Sequence, residues 1–283
     1  MGTISKNREL MIIKEQKLNL KVIEAVIYCF MFLVLLIVTQ ALLAAILSPI
    51  PYFRTMQGTL IISALVRVVA ILASILIITK NEVYKLSLSF KGNSNVKWLI
   101  ATILFSFGFR IITTEIFKIL IHIFPPSKDL LAGLTGDISN IFLKLCIYVV
   151  IVPILEELFF RVTIAYGLKN TYNKKIAIFI SALLFGLLHL NIYQFVVGTI
   201  MGIFLAYIYL ETQSLILPIV AHVISNGYSY LLYLLNIKIP NNAPTEVFQL
   251  QAWWWNLTGI ILIAVSFFIF KKLKQSPIKS VEM

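Results

Sequence analysis

The stretch Val152-Pro-Ile-Leu-Glu-Glu-Leu-Phe-Phe-Arg161 decides how this chain must fold. It sets two adjacent carboxylates and a guanidinium inside an apolar run that begins near Asn140. A carboxylate at bilayer depth costs about 2.5–3.5 kcal/mol on insertion scales, so the pair needs shielding by other helices rather than lipid. Glu157 and Arg161 are one helical turn apart, and the plainest reading is a buried ion pair that locks helices together. The alternative is a functional site, and what favours it lies further along the chain.

Working outward, composition bounds the class. The chain has 283 residues, 60% hydrophobic and 13% charged, with a mean hydropathy of +0.94. Soluble domains carry about 25% charged residues, so this is an integral membrane protein. Apolar runs near 20 residues, without an alternating ten-residue pattern, indicate helices and exclude a barrel. A net charge of +12 would suggest nucleic acid in a soluble protein. Here the lysines and arginines set orientation, so lipid is an expected partner and nucleic acid is not. Cys29 and Cys146 lie in apolar segments without C-x-x-C spacing, which argues against a disulfide framework or a zinc knuckle. The first apolar run, after Lys21, exceeds the core of a cleaved signal peptide and reads as a retained helix.

The expected fold is all-α, a polytopic transmembrane bundle of eight helices near 22–47, 58–79, 97–122, 139–168, 174–191, 194–210, 215–235 and 252–271. Polar loops at 81–95, 125–136 and 236–244 separate them, and Trp253-Trp254-Trp255 reads as an interfacial anchor. Basic residues alternate between sides. Lys6, Arg8, Lys14, Lys17, Lys21, Lys80, Lys85, Lys91, Lys97, Lys169, Lys174, Lys175, Lys271, Lys272, Lys274 and Lys279 fall on one side. Arg54, Lys128 and Lys238 fall on the other, so both termini are expected in the cytoplasm. One membrane domain is expected over 1–283, with a cytoplasmic N-terminal segment at 1–21.

Of three histidines, His122 ends the third span and reads as interfacial. His189 closes Phe185-Gly-Leu-Leu-His189 in the fifth, and His222 lies in Pro218-Ile-Val-Ala-His222-Val-Ile-Ser-Asn226 in the seventh. The fourth and fifth spans form a hairpin turning at Thr171–Asn173, with Glu156 and His189 each about 25 Å of helix from the turn. Antiparallel packing would bring them to one level. His222 and Asn226, at i and i+4, share a face. A buried glutamate with an imidazole can activate water, and an amide beside an imidazole N–H can stabilise an oxyanion. The set fits peptide hydrolysis; Glu156, His189 and His222 would also serve as zinc ligands with a water position open. The chain carries no H-E-x-x-H or G-x-S-x-G and no cysteine beside a histidine motif. Gly133-Leu-Thr-Gly-Asp137 differs from the G-x-G-D of intramembrane aspartyl proteases.

These motifs resemble a known family. Glu156-Glu-Leu-Phe-Phe-Arg161 is similar to the E-E-x-x-x-R of the CPBP family, the CAAX proteases and bacteriocin-processing enzymes also called ABI. Phe185–His189 is similar to its F-x-x-x-H and His222–Asn226 to its H-x-x-x-N, over about residues 140–230. Gln213 stands where that family often has glycine, which implies altered loop geometry. The resemblance implies an intramembrane endopeptidase related to the type II CAAX prenyl protease. In it Glu156 activates water with help from His189, His222 and Asn226 hold the oxyanion, and Glu157 and Arg161 support them. A metal-independent glutamate mechanism is implied, with zinc as the alternative.

The expected substrate is a peptide or membrane protein cut near the cytoplasmic side of a bacterial cell membrane. Prepeptide processing, pheromone maturation and bacteriocin self-immunity are the expected roles. A non-catalytic scaffold or immunity protein that binds a peptide is the second reading. A proton-relaying transporter ranks third, since no internal symmetry is visible in the sequence.

Overall fold

The computed structural model describes residues 17–80, 90, 92–127, 130, 141–234 and 250–275. The basic residues Lys6, Arg8, Lys14, Lys85, Lys91, Lys128, Lys238 and Lys279, the Gly133–Asp137 stretch and the 236–244 loop lie outside them.

Within that range the protein is all-helical. The helices are α1 (Val22–Leu47), α2 (Met56–Thr79), α3 (Val96–Ile123), α4 (141–171), α5 (Lys174–Leu187), α6 (Ile192–Thr212), α7 (Ile216–Leu234) and α8 (Trp253–Gln275). Five of them, α1, α2, α3, α6 and α8, are long and apolar enough to cross a membrane. The apolar part of α7 is Ile216–Tyr228. The eight elements follow the expected spans closely, because caps mark their starts. Thr55 accepts from the Gly58 N–H, Asn95 from Lys97 and Trp98, Asn173 from Ile176 and Asn191 from Gln194.

Helix α5 differs from expectation. It ends at Leu187, and His189 lies in the turn that follows rather than inside a span. The reason is local: Leu190 adopts a left-handed backbone (φ 55°) and Asn191 caps the next helix. At 14 residues, α5 is about 21 Å long, shorter than the ~30 Å hydrocarbon core.

Lipid provides no hydrophobic drive for helix association, so small residues set the closest contacts. A Cβ on Gly108 would lie 2.6 Å from the Gly259 carbonyl, and Ser266 Oγ donates to the Ala101 carbonyl, which seats α8 on α3. One apolar core joins α1, α2, α4, α5 and α6 around Phe159, Phe160 and Phe185. A second joins α3, α6, α7 and α8 around Phe105 and Phe204. Helix α4 runs between α2 and α7 and carries the carboxylates.

Candidate active site

Helix α4 departs from α-helical winding on both sides of the carboxylates. Leu145–Ile151 and Leu158–Ala165 are π-helical, with the α-helical Val152–Glu157 between them. Thr163 Oγ1 donates to the Leu158 carbonyl five residues back, the spacing of the wider turn. Single π-turns recur at functional sites because they re-aim side chains by a fraction of a turn.

Glu157 and Arg161 are fully buried, and Arg161 Nε donates to Glu157 Oε2 at 2.7 Å. The guanidinium lies 4.9 Å from the Phe185 ring centre and 3.4 Å from Ser181 Oγ on α5. The ion pair expected from the sequence is present. It also reaches α7, because His222 Nδ1 lies 2.8 Å from Glu157 Oε1. A carboxylate only accepts, so Nδ1 carries the proton. His222 Nε2 then faces Glu156 Oε2 at 3.6 Å. Arg161, Glu157, His222 and Glu156 therefore form one connected row.

The two glutamates differ in access. Both Glu157 oxygens are occupied and its side chain is 0% exposed, whereas the Glu156 side chain is 21% exposed. The sequence left open which of them is available to a reacting group. Adjacent side chains on a helix point about 100° apart, so Glu157 turns into the bundle while Glu156 stays open.

His189 approaches from the α5–α6 turn. Its Nδ1 lies 3.0 Å from the Phe185 carbonyl, so Nδ1–H donates and a neutral ring keeps the Nε2 lone pair. Asn191 Nδ2 donates to the His189 carbonyl. Gly186 and Gly198 let α5 and α6 meet closely behind the ring: a Cβ on Gly186 would fall 2.1 Å from Thr199 Oγ1, and one on Gly198 would lie 3.7 Å from His189. Phe185 stands edge-on to both imidazoles, at 5.2 Å from His189 and 5.6 Å from His222. His189 and Glu156 are not hydrogen-bonded to each other.

Asn226 is one turn beyond His222 on the same face of α7. Its Nδ2 donates to the Tyr148 carbonyl at 3.0 Å, which leaves its second N–H uncommitted. The Tyr148 carbonyl lies in the first π-helical segment of α4.

Among the described residues, no three His, Cys, Asp or Glu side chains gather at metal-ligating range. His222 turns both nitrogens to carboxylates and His189 turns Nδ1 to a carbonyl. The donors Glu156, His189 and His222 as arranged do not fit a zinc shell.

Comparison with known proteins bears on this segment. Residues 138–228 match the family model described as Type II CAAX prenyl endopeptidase Rce1-like. Over this segment the chain is similar to that family's core. All three motifs fall inside it. The Bacillus subtilis (strain 168) protein "Putative membrane peptidase YdiL" is 31% identical over 97 residues, 34% of this chain and 40% of that relative's length. The chain thus matches well under half of its curated relative. No solved structure matches it.

Several charges within apolar helices passed unremarked in the sequence reading, all of them outside the matched segment 138–228. Glu115 pairs with Lys118 at 3.4 Å, and its Oε1 accepts the Gln251 N–H at 2.8 Å. Arg110 lies 5.5 Å above the Tyr228 ring. Arg67 on α2 lies 5.7 Å from the Tyr148 ring centre. A charge inside an apolar run is the signal that could have found each of them.

Proposed function

We propose that this multi-pass membrane protein is an intramembrane endopeptidase of a bacterial cell membrane. It cuts a peptide or membrane-protein segment that enters from the cytoplasmic side. The observation that carries the reading is the row Arg161–Glu157–His222–Glu156, which ends on an accessible carboxylate. Glu156 takes a proton from water as it attacks the scissile carbonyl, and the His189 Nε2 lone pair orients that water. When the tetrahedral intermediate collapses, the C–N bond breaks and Glu156 returns the proton to the leaving amine. The oxyanion is held by the second N–H of Asn226 and by His222 Nε2. For Nε2 to donate, His222 must already hold a second proton taken from solvent, as an imidazolium whose Nδ1–H stays hydrogen-bonded to the Glu157 carboxylate. Glu157 and Arg161 are positioning residues that hold His222. Prepeptide maturation and bacteriocin self-immunity are the roles such an activity would serve.

The test uses purified protein in detergent and a fluorogenic CAAX-type or pheromone-precursor peptide. Glu156→Ala is expected to lose about 10²–10⁴-fold in kcat, the usual range for a general base, while a strong chelator leaves the wild type unchanged. Activity abolished by chelator and restored by Zn²⁺ would transfer the reaction to a metal. A wild type that cleaves nothing, with a cellular phenotype that survives Glu156→Ala, would favour a peptide-binding scaffold.

A further inference from the structure

Arg67 has no counterpart in the mechanism above. It lies at the middle of the 24-residue α2, about 16 Å of helix from either end. Long basic side chains reach the headgroups only from near helix ends, so lipid phosphate does not account for it. Its described partners are the Ser63 carbonyl of its own helix, at 3.1 Å from NH1, and the Tyr148 ring. Arg161 has Glu157 and Lys118 has Glu115, but among the described residues no carboxylate pairs with Arg67. The side chain is half-buried and accessible.

Its neighbours tie it to the site. Tyr148 presents its ring to Arg67 and its carbonyl to Asn226. Leu60, Ile147 and Val152 pack with Ala64 and Tyr148, so the α2 face that carries Ala64 and Arg67 is the one applied to α4. On α7, His222, Asn226 and Tyr230 recur at every fourth residue, so Tyr230 lies one turn further along the face that meets Tyr148. The Arg67 guanidinium therefore stands against the ring of the residue whose carbonyl holds Asn226, and that residue brings a phenol of its own. A fork of N–H donors matches a carboxylate bidentately, and phenolic O–H groups add donors.

We propose that Arg67, with Tyr148 beside it, receives a carboxylate of the substrate peptide and so selects substrates with an anionic group near the scissile bond. This rests on the peptidase reading and names a specificity residue for it. The carboxylate comes from the peptide's C-terminus or from an aspartate or glutamate side chain.

The experiment measures binding, so that it does not depend on turnover. A fluorescein-labelled CAAX-type peptide is titrated against the full-length protein in detergent by anisotropy. It is used with a free C-terminus, as the C-terminal amide, and as the amide with an aspartate one residue inward. A hydrogen-bonded charge pair in such a site is worth about tenfold or more in affinity. Wild type is expected to bind at least one carboxylate form about tenfold tighter than the plain amide, and which form it prefers identifies the source. Arg67→Gln is expected to bind all three alike, at the wild-type affinity for the amide, while Arg67→Lys keeps part of the preference. Equal wild-type affinities, no binding of any peptide, or a preference that persists in Arg67→Gln would overturn the proposal. If Arg67→Gln does not fold, the wild-type comparison and Arg67→Lys decide, since an Arg67→Lys preference equal to wild type also overturns it. A carboxylate preference without cleavage would remove the enzyme reading and leave this one standing.

Discussion

Glu157 and Glu156 are neighbours in the chain and opposites in environment. Glu157 shares its two oxygens between Arg161 and His222 with no exposure, and Glu156 reaches only toward His222 Nε2. Removing one member of a buried pair strands the other in low dielectric, at a cost of about 3–5 kcal/mol. Glu157→Gln is thus expected to destabilise the protein by about that much, while Glu156→Gln changes stability by less than about 1 kcal/mol. Unfolding of the two variants by heat or denaturant in the same detergent checks the difference. Equal losses would mean that both carboxylates are structural. The adjacency of the pair was plain in the sequence. Their separation into a closed and an open side chain was not, because it depends on where α5 and α7 pack against α4.

At the scale of elements, α6 and the α5–α6 turn are set by backbone strain and small residues. Gln213 closes α6 in the left-handed region (φ 53°), with its N–H donating to the Tyr209 carbonyl. That conformation costs an L-residue about 1–2 kcal/mol, and glycine gives back part of it through unfolded-state entropy. The sequence reading noted Gln213 where glycine is frequent and expected altered loop geometry. The structure shows the helix cap retained and the strain accepted. Gln213→Gly should raise stability by about 0.5–1 kcal/mol and leave the Ser214 contacts with Phe90 and Ser94 in place. A melting comparison with Gln213→Ala, which gains nothing at positive φ, separates backbone relief from loss of the side chain. A drop in stability on glycine substitution would mean that the Gln213 side chain matters more than its backbone.

Over the whole molecule, the lysine-rich connections gather at one end of the bundle. Leu20 N–H donates to the Gly167 carbonyl and Asn170 to the Leu18 carbonyl, which straps the 17–21 segment across the end of α4. Lys174 at the start of α5 and Lys274 near the end of α8 both pair with Glu211 at the end of α6. Phe90 and Asn93 hydrogen-bond to Ile216 and Thr212 at that end too. By the positive-inside rule this end is expected to be cytoplasmic. Green fluorescent protein fused after Met283 should then fluoresce, and alkaline phosphatase fused there should stay inactive. An active phosphatase would invert the orientation. The depth of the site gives the result a mechanistic consequence. Glu156 lies about 22 Å of helix from the last residue of α4, so a peptide entering from the lysine-rich end would cross more than half of the ~30 Å core.

The sequence alone determined the all-helical membrane class and the order and approximate ends of eight helices, and it singled out Glu156, Glu157, Arg161, His189, His222 and Asn226 as candidates. It could do so because long apolar runs, asparagine and threonine caps and charges in apolar context are local signals whose cost does not depend on the partner helix. Only the tertiary structure decided that His222 joins Glu157 to Glu156, that His189 sits on a turn beyond a short α5, and that Tyr148 stands between Asn226 and Arg67. Those relations cross helices. They follow from π-turns, glycine contacts and a left-handed residue, each a matter of a fraction of a turn or a few ångströms that no periodicity in the chain encodes.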